Sequence, residues 1–198
     1  MHTRRLLTAV LGAWLAGSAL TAYIASSNFD HAGQILESKD PKVTRILQIL
    51  GEKDARQLLR HEASEMNRTN FARWQQVQLF FSLLIIGMLF STRAKTPSLV
   101  VAALLTTATL ANYFAVTPHI IGLGALMDFT PPNQFPIERA RFAAMHQAYG
   151  GLELLKLAMA LMLLIAYSRR TGKRRVSGKT LIDEVDEIDD ADDRHVNR

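Results

Sequence analysis

Residues 96–127 read TPSLVVAALLTTATLANYFAVTPHIIGLGALM and contain no Lys, Arg, Asp or Glu. A bilayer hydrocarbon core about 30 Å thick is crossed by roughly 20 apolar residues in a helix, and this run is longer than that. Outward from it the pattern repeats. Residues 6–27 and 74–92 are also free of charge, and residues 154–168 are interrupted only by Lys156. A soluble domain of 198 residues spreads its apolar side chains through amphipathic periods. Here 48% hydrophobic and 21% charged residues are segregated into separate blocks. The sequence predicts an all-α polytopic membrane protein, a four-helix transmembrane bundle with spans at about 6–26, 74–92, 97–117 and 147–168.

The absence of Cys excludes disulfides, thiolate metal sites, iron–sulfur clusters and Cys nucleophiles. No P-loop, G-x-G-x-x-G or G-x-S-x-G occurs, so nucleotide and acyl-transfer chemistry have no support. The net charge of +5 does not imply nucleic acid, because the basic residues flank the spans.

Loop charge sets orientation. Arg4 and Arg5 precede span one, and Arg93 and Lys95 lie between spans two and three. Arg169, Arg170, Lys173, Arg174, Arg175 and Lys179 follow span four. These three sites fall on one side, so both termini are expected in the cytoplasm, with residues 28–73 and 118–144 exported. Segment 28–73 holds eight basic residues, balanced by seven acids. Arg4-Arg5 and the following apolar run also have the outline of a signal peptide. Retention as a span is expected, because the run stays apolar to Ala25 and lacks a good small-x-small site. Gly12, Trp14 and Gly17 suit a closely packed membrane helix.

Between spans one and two an exported amphipathic helical segment is expected at about 40–70. Asp40-Pro41 reads as an N-cap followed by Pro at the first helical position, and Gly51 as a stop. A second pattern, Ala55, Leu58, Leu59, Ala63 and Met66, is backed by a charged face. The segment is read as a cap lying on the membrane surface, with a partner-docking surface as the alternative. Residues 169–198 read as a charged cytoplasmic tail, largely disordered. Its six basic residues at 169–179 would hold anionic lipid headgroups, and eight acids follow at 183–193.

Polar residues in or beside a span must be paired or line a cavity. Asn112, seven residues before His119, shares its helix face, and His146, Tyr149 and Glu153 share another. Glu153 and Lys156 stand three residues apart and can pair. Spans three and four pack side by side as an antiparallel hairpin, which predicts an outer-leaflet cluster of Asn112, His119, His146, Tyr149 and Glu153. Lys156 lies near its floor, and Arg141 at its rim. The first reading is hydrogen bonding that fixes helix packing. The second is a metal, haem or proton-handling site with His146, Glu153 and His119 as ligands; no H-x-x-x-H spacing accompanies it.

Phe114-Ala115-Val116-Thr117-Pro118-His119-Ile120, Arg141-Phe142-Ala143-Ala144-Met145-His146 and Gly151-Leu152-Glu153 resemble an uncharacterised bacterial four-span family. Glu65-Met66-Asn67-Arg68, with Phe71 and Trp74, adds to the resemblance. The family is a domain of unknown function, similar to transmembrane protein 205-like proteins and loosely to CopD-type copper-resistance proteins. Its pattern has V-T-P closing span three and R-x-x-F-x-x-L-H opening span four; here Met145 replaces the Leu. His119 stands where a basic or polar residue is usual. The resemblance implies the four-span fold and a bacterial inner membrane with a periplasmic side.

Three functions follow as expectations. The first is a non-enzymatic scaffold or accessory protein whose partners are the bilayer, other membrane proteins or further copies of itself. The second is a metal-, haem- or small-solute-handling protein using the cluster. The third, an intramembrane enzyme, lacks a recognisable nucleophile arrangement.

Overall fold

A computed structural model describes residues 2–131 and 133–192, with side chains placed from Thr3 to Ser168 apart from Pro132. Among the described residues every regular element is helical: α1 His2–Leu36, α2 Pro41–Leu50, α3 Glu52–Ser91, α4 Thr96–Ala111, a π turn Asn112–Val116, α5 Thr117–Met127 and α6 Pro136–Asp192. Four stretches are long and apolar enough to cross a membrane: Thr3–Leu36, Glu52–Ser91, Thr96–Met127 and Pro136–Ser168. The chain is a multi-pass membrane protein.

Its surface supports that assignment. Phe80, Leu83, Phe90, Leu104, Leu154 and Met162 are exposed on the outside of the bundle. Large apolar side chains turned outward on three helices call for lipid around them, and α-helices satisfy their own backbone groups there.

The helices run alternately up and down. α1 packs on α3, α3 on α4, α4 and α5 on α6, and α6 returns to α1. This closed ring leaves α3 and α6 diagonal to each other. At the proximal end, where α1 begins, Leu11 and Trp14 meet Ile85, Leu89, Leu105 and Leu163 in an apolar core. At the distal end, where α2 lies, the helices outrun any bilayer. The 40 residues of α3 span about 60 Å, roughly twice the hydrocarbon thickness.

The element bounds differ from the sequence expectation in four places. Residues 52–91 form one helix, where a separate surface cap and a span starting near 74 are expected. Only Gly87 is a breaker within it, and a charged-to-apolar change of face does not interrupt backbone hydrogen bonding. α1 extends to Leu36. Span three continues through Pro118 to Met127, and span four begins at Pro136, so the expected 118–144 segment contracts to a loop at 128–135. The preceding π turn shifts the backbone pairing, so Pro118, which has no N–H, is accommodated without a break. Lastly, the tail expected to be largely disordered continues α6 as backbone helix to Asp192. Extending an existing helix avoids the nucleation cost that an isolated polar segment faces. Residues 193–198 and the tail's side chains, including those expected to hold lipid headgroups, lie outside the described ones.

The distal helices are tied at their ends. Asp40 caps α2 by accepting from the Lys42 backbone N–H at 2.8 Å, with Pro41 first in the helix. Gly51, at φ +81°, ends α2 and turns the chain into α3. That left-handed angle is cheap only for glycine. Asn67 joins α3 to α1: its Nδ2 donates to the Ala25 carbonyl at 3.0 Å and its Oδ1 accepts from Asn28 at 2.7 Å.

Candidate functional site

The candidate site has two storeys: a buried polar network at mid-bundle and a cleft above it at the distal end. Both rest on the same α6 stripe. Arg139, Phe142, His146, Tyr149, Glu153 and Lys156 recur at alternating spacings of three and four, one seam of a helix. On α3 the matching seam is Arg68, Phe71, Gln75, Gln78, Ser82 and Ile85.

The network spans the diagonal between these seams. Glu153 Oε1 accepts from Lys156 Nζ at 2.7 Å, Gln75 Nε2 at 2.6 Å and Asn112 Nδ2 at 3.1 Å. Its Oε2 accepts from Gln78 Nε2 at 3.1 Å. Lys156 Nζ also donates to the side-chain oxygens of Gln78 and Gln75. Gln75 Nε2 donates to the Tyr149 hydroxyl at 2.9 Å, and Gln78 reaches Ser18 on α1 at 3.4 Å. α1, α3, the π turn between α4 and α5, and α6 therefore all contribute. Lys156, Gln75, Gln78 and Asn112 are fully buried. An ammonium and a carboxylate are tolerated there because each is surrounded by partners of the right polarity. The π turn begins at Asn112 and belongs to this geometry. Among the described residues, Asn112 Oδ1 is the network's only buried acceptor without a partner.

Above the network a second ionic station fastens the distal loop. Asp128 accepts from Arg68 Nη2 at 2.6 Å and meets His61 Nδ1 at 2.9 Å, while Glu65 accepts from Arg68 Nε at 2.9 Å. Gly124 makes room for this, since a Cβ there would stand 3.2 Å from Arg68 Nη1. Arg139 holds the other half of the loop, donating from Nη2 to the Thr130 and Pro131 carbonyls at 3.3 and 3.1 Å and from Nε to Gln134 O at 2.9 Å. The clamps hold Phe129 and Phe135 at φ 59° and 57°, a conformation costing each roughly 1–3 kcal/mol. Asp128→Asn removes the charge from one clamp. It should destabilise the loop by about 1–3 kcal/mol and raise amide hydrogen exchange across residues 128–135. Unchanged exchange there would show that the station does not hold the loop.

The cleft occupies about 1140 Å³ between the first half of α3, α5, the loop and the start of α6. Lys53, Arg56 and Arg60 stand along its α3 wall, and Ile120, Ile121 and Met127 form its α5 wall. Phe142, His146 and Tyr149 descend its α6 side, so Tyr149 touches both storeys.

Of the residues expected in the cluster, Asn112, Tyr149, Glu153 and Lys156 come together. The proposed ligand set does not. His146 is exposed, lies against the ring of Phe142 at 5.9 Å and lines the cleft. It shares a face with Glu153 but lies two turns, about 10 Å, away along the axis, too far to share an ion. His119 is exposed and bonds to the Ala115 carbonyl at 2.6 Å through Nδ1. The π turn adds about one residue to the helix, which rotates the following face by roughly 100° and turns His119 away from the Asn112 side. Arg141 is exposed and stands outside the network. No group of three or more His, Asp or Glu suited to a metal occurs among the described residues. Sequence reasoning missed Gln75 and Gln78, although the seam spacing that leads from Phe71 to Ile85 passes through both.

No family model, curated protein or solved structure matches the chain.

Proposed function

We propose that the chain is a non-enzymatic accessory or scaffold protein of a bacterial inner membrane, with both termini in the cytoplasm and the α2 end exported. One observation carries this reading over metal or haem handling: Glu153, the only carboxylate in the buried network, has both oxygens engaged by four side-chain donors of the protein itself. A carboxylate so engaged locks helices together and has little coordination capacity left for an ion. The part left for outside contact is the distal structure. No residue of α2 is buried, and its Ile46, Ile49 and Leu50 are exposed. An exposed apolar helix face of this kind, at the end of the arm that α3 holds beyond the bilayer, is suited to docking another membrane component. The resemblance of the V-T-P and R-x-x-F-x-x-M-H motifs to the uncharacterised four-span family supports the same placement, and the basic clusters beside the α1 start and the α3–α4 link support the orientation.

Because the chain has no Cys, single-cysteine variants label cleanly. In intact cells a membrane-impermeant maleimide should label an Ile49→Cys variant and leave a Ser98→Cys variant unlabelled until the membrane is opened. The reverse pattern would overturn the orientation. Metal analysis of the purified full chain beside its His146→Ala variant should find no stoichiometric metal in either, with stability changed by less than about 0.5 kcal/mol for this exposed residue. A metal or haem band lost in the variant would replace the accessory reading with a cofactor-handling one.

A further inference from the structure

The distal cleft has a chemistry that the accessory reading does not use. Its cations are unequally committed. Arg56 is paired with Glu52 at 2.8 Å, Arg68 with Asp128 and Glu65, and Arg139 is turned onto loop carbonyls. Lys53 and Arg60 line the same wall with no acidic partner among the described residues. They stand seven positions apart, so they share the α3 face that looks into the cleft. Asp128, the acid that faces them from the loop, is occupied by Arg68 and His61.

Below the paired Arg68 the lining turns apolar. Phe71, Ile120, Ile121 and Phe142 enclose the lower part, and the Tyr149 ring closes it, edge-on to Phe71 at 5.6 Å. From Lys53 to Phe71 the α3 wall descends about 27 Å. Over that distance it passes from unpaired cations, through Ser64, Asn67 and the acid-paired Arg68, to the ring of Phe71. A membrane lipid presents the same order of groups, an anionic head at the interface and hydrocarbon below it. A volume of about 1140 Å³ also exceeds the roughly 300–1,000 Å³ typical of pockets for compact ligands. A free anion would leave the apolar depth unused, and a neutral solute would leave two cations uncompensated.

We propose that this cleft binds an amphiphile with an anionic phosphate or carboxylate head, the head at Lys53 and Arg60 and the alkyl chain between α5 and the Phe142–Tyr149 face of α6. Phe142, His146 and Tyr149 then have a common task as the α6 side of a chain-binding groove, and the strained, doubly clamped loop serves as its rim.

The test uses the full chain in a neutral detergent with dansyl-undecanoic acid as probe, reading dansyl emission sensitised by tryptophan. Binding should saturate. Dodecyl phosphate and short-chain phosphatidylglycerol should displace the probe, and whichever acts at lower concentration identifies a single-chain or a phospholipid source. Inorganic phosphate and dodecyltrimethylammonium should not displace it. The Lys53→Gln, Arg60→Gln double variant should bind the probe roughly 25-fold more weakly, about five-fold for each charge removed near a membrane surface. Both positions are exposed, so folding should be unaffected. An Ile121→Phe variant, which narrows the lower cleft without adding a tryptophan donor, should reduce binding while leaving both cations in place. Unsaturable partitioning in the wild type would overturn the proposal. So would binding by the double variant within two-fold of wild type, or displacement by inorganic phosphate as effective as by dodecyl phosphate.

Discussion

Lys156→Met should destabilise the bundle by about 3–5 kcal/mol, the usual cost of leaving one member of a buried ion pair without its partner. The side chain of Lys156 is fully buried and that of Glu153 only 17% exposed, so water is a poor substitute for the lost ammonium. Glu153 would keep its hydrogen bonds to Gln75, Gln78 and Asn112 but lose the opposite charge that makes its own tolerable. Glu153→Gln should be damaging for the converse reason, since Lys156 would retain only amide oxygens. The double variant Glu153→Gln, Lys156→Met carries neither charge and should recover much of the loss, because replacing a whole buried pair by neutral groups is often close to neutral. Reversible unfolding in mixed micelles measures all four proteins. If the single variants match wild type, or if the double loses the sum of both, the pair is not the element that joins the diagonal.

A second large effect is expected at Gly17. A Cβ at this position would stand 2.2, 2.7 and 2.9 Å from three atoms of the Trp74 ring. The indole of α3 is therefore seated directly against the α1 backbone. Trp74 also meets Phe81 edge-on at 6.5 Å, and Phe81 approaches Trp14 at 6.4 Å, so the aromatic stack cannot shift freely. Gly17→Leu should cost roughly 1–3 kcal/mol through overpacking. Trp74→Ala alone should cost about 3–5 kcal/mol through the cavity it leaves. Combined, the new leucine occupies the space vacated by the indole, and the double variant should be more stable than the sum of the two by about 0.5–3 kcal/mol. Strict additivity in the same unfolding assay would show that the two residues do not share one space. By contrast, Gly12 has no neighbour within 4 Å of its would-be Cβ, and Gly12→Ala should be nearly silent.

The four spans were legible because absence of charge over some twenty residues is a local signal that needs no knowledge of neighbours. Asn112, Tyr149, Glu153 and Lys156 were legible for the same reason: a polar atom inside an apolar run must find a partner. The identity of that partner was not. Gln75 and Gln78 carry no charge and so did not interrupt span two, and α3 lies diagonal to α6, a relation set by the ring of helices rather than by adjacency in sequence. His146 and Glu153 stand on one face but two turns apart. A shared helical face places side chains in one direction but leaves them 1.5 Å per residue apart along the axis. The error at His119 was one of rotation, introduced by a π turn whose five residues, Asn112–Val116, look like any other apolar helix. The continuity of α3 was obscured because its two halves face different solvents while its backbone continues unbroken.

The ion pair also bears on how the chain enters a bilayer during synthesis. Glu153 and Lys156 sit three residues apart on the same helix, so they can neutralise each other before any other helix arrives. A translocating segment carrying one of them alone would face an insertion penalty of about 2.5–3.5 kcal/mol at mid-bilayer. Carrying both, α6 can partition laterally as a nearly neutral rod. The amides of Gln75, Gln78 and Asn112 can then dock onto a dipole already formed. Moving the lysine from α6 to α3, with every contact of the finished bundle preserved, would leave two helices each stranded with a bare charge at the moment of insertion. The sequence order of these two residues therefore serves biogenesis as well as the folded state.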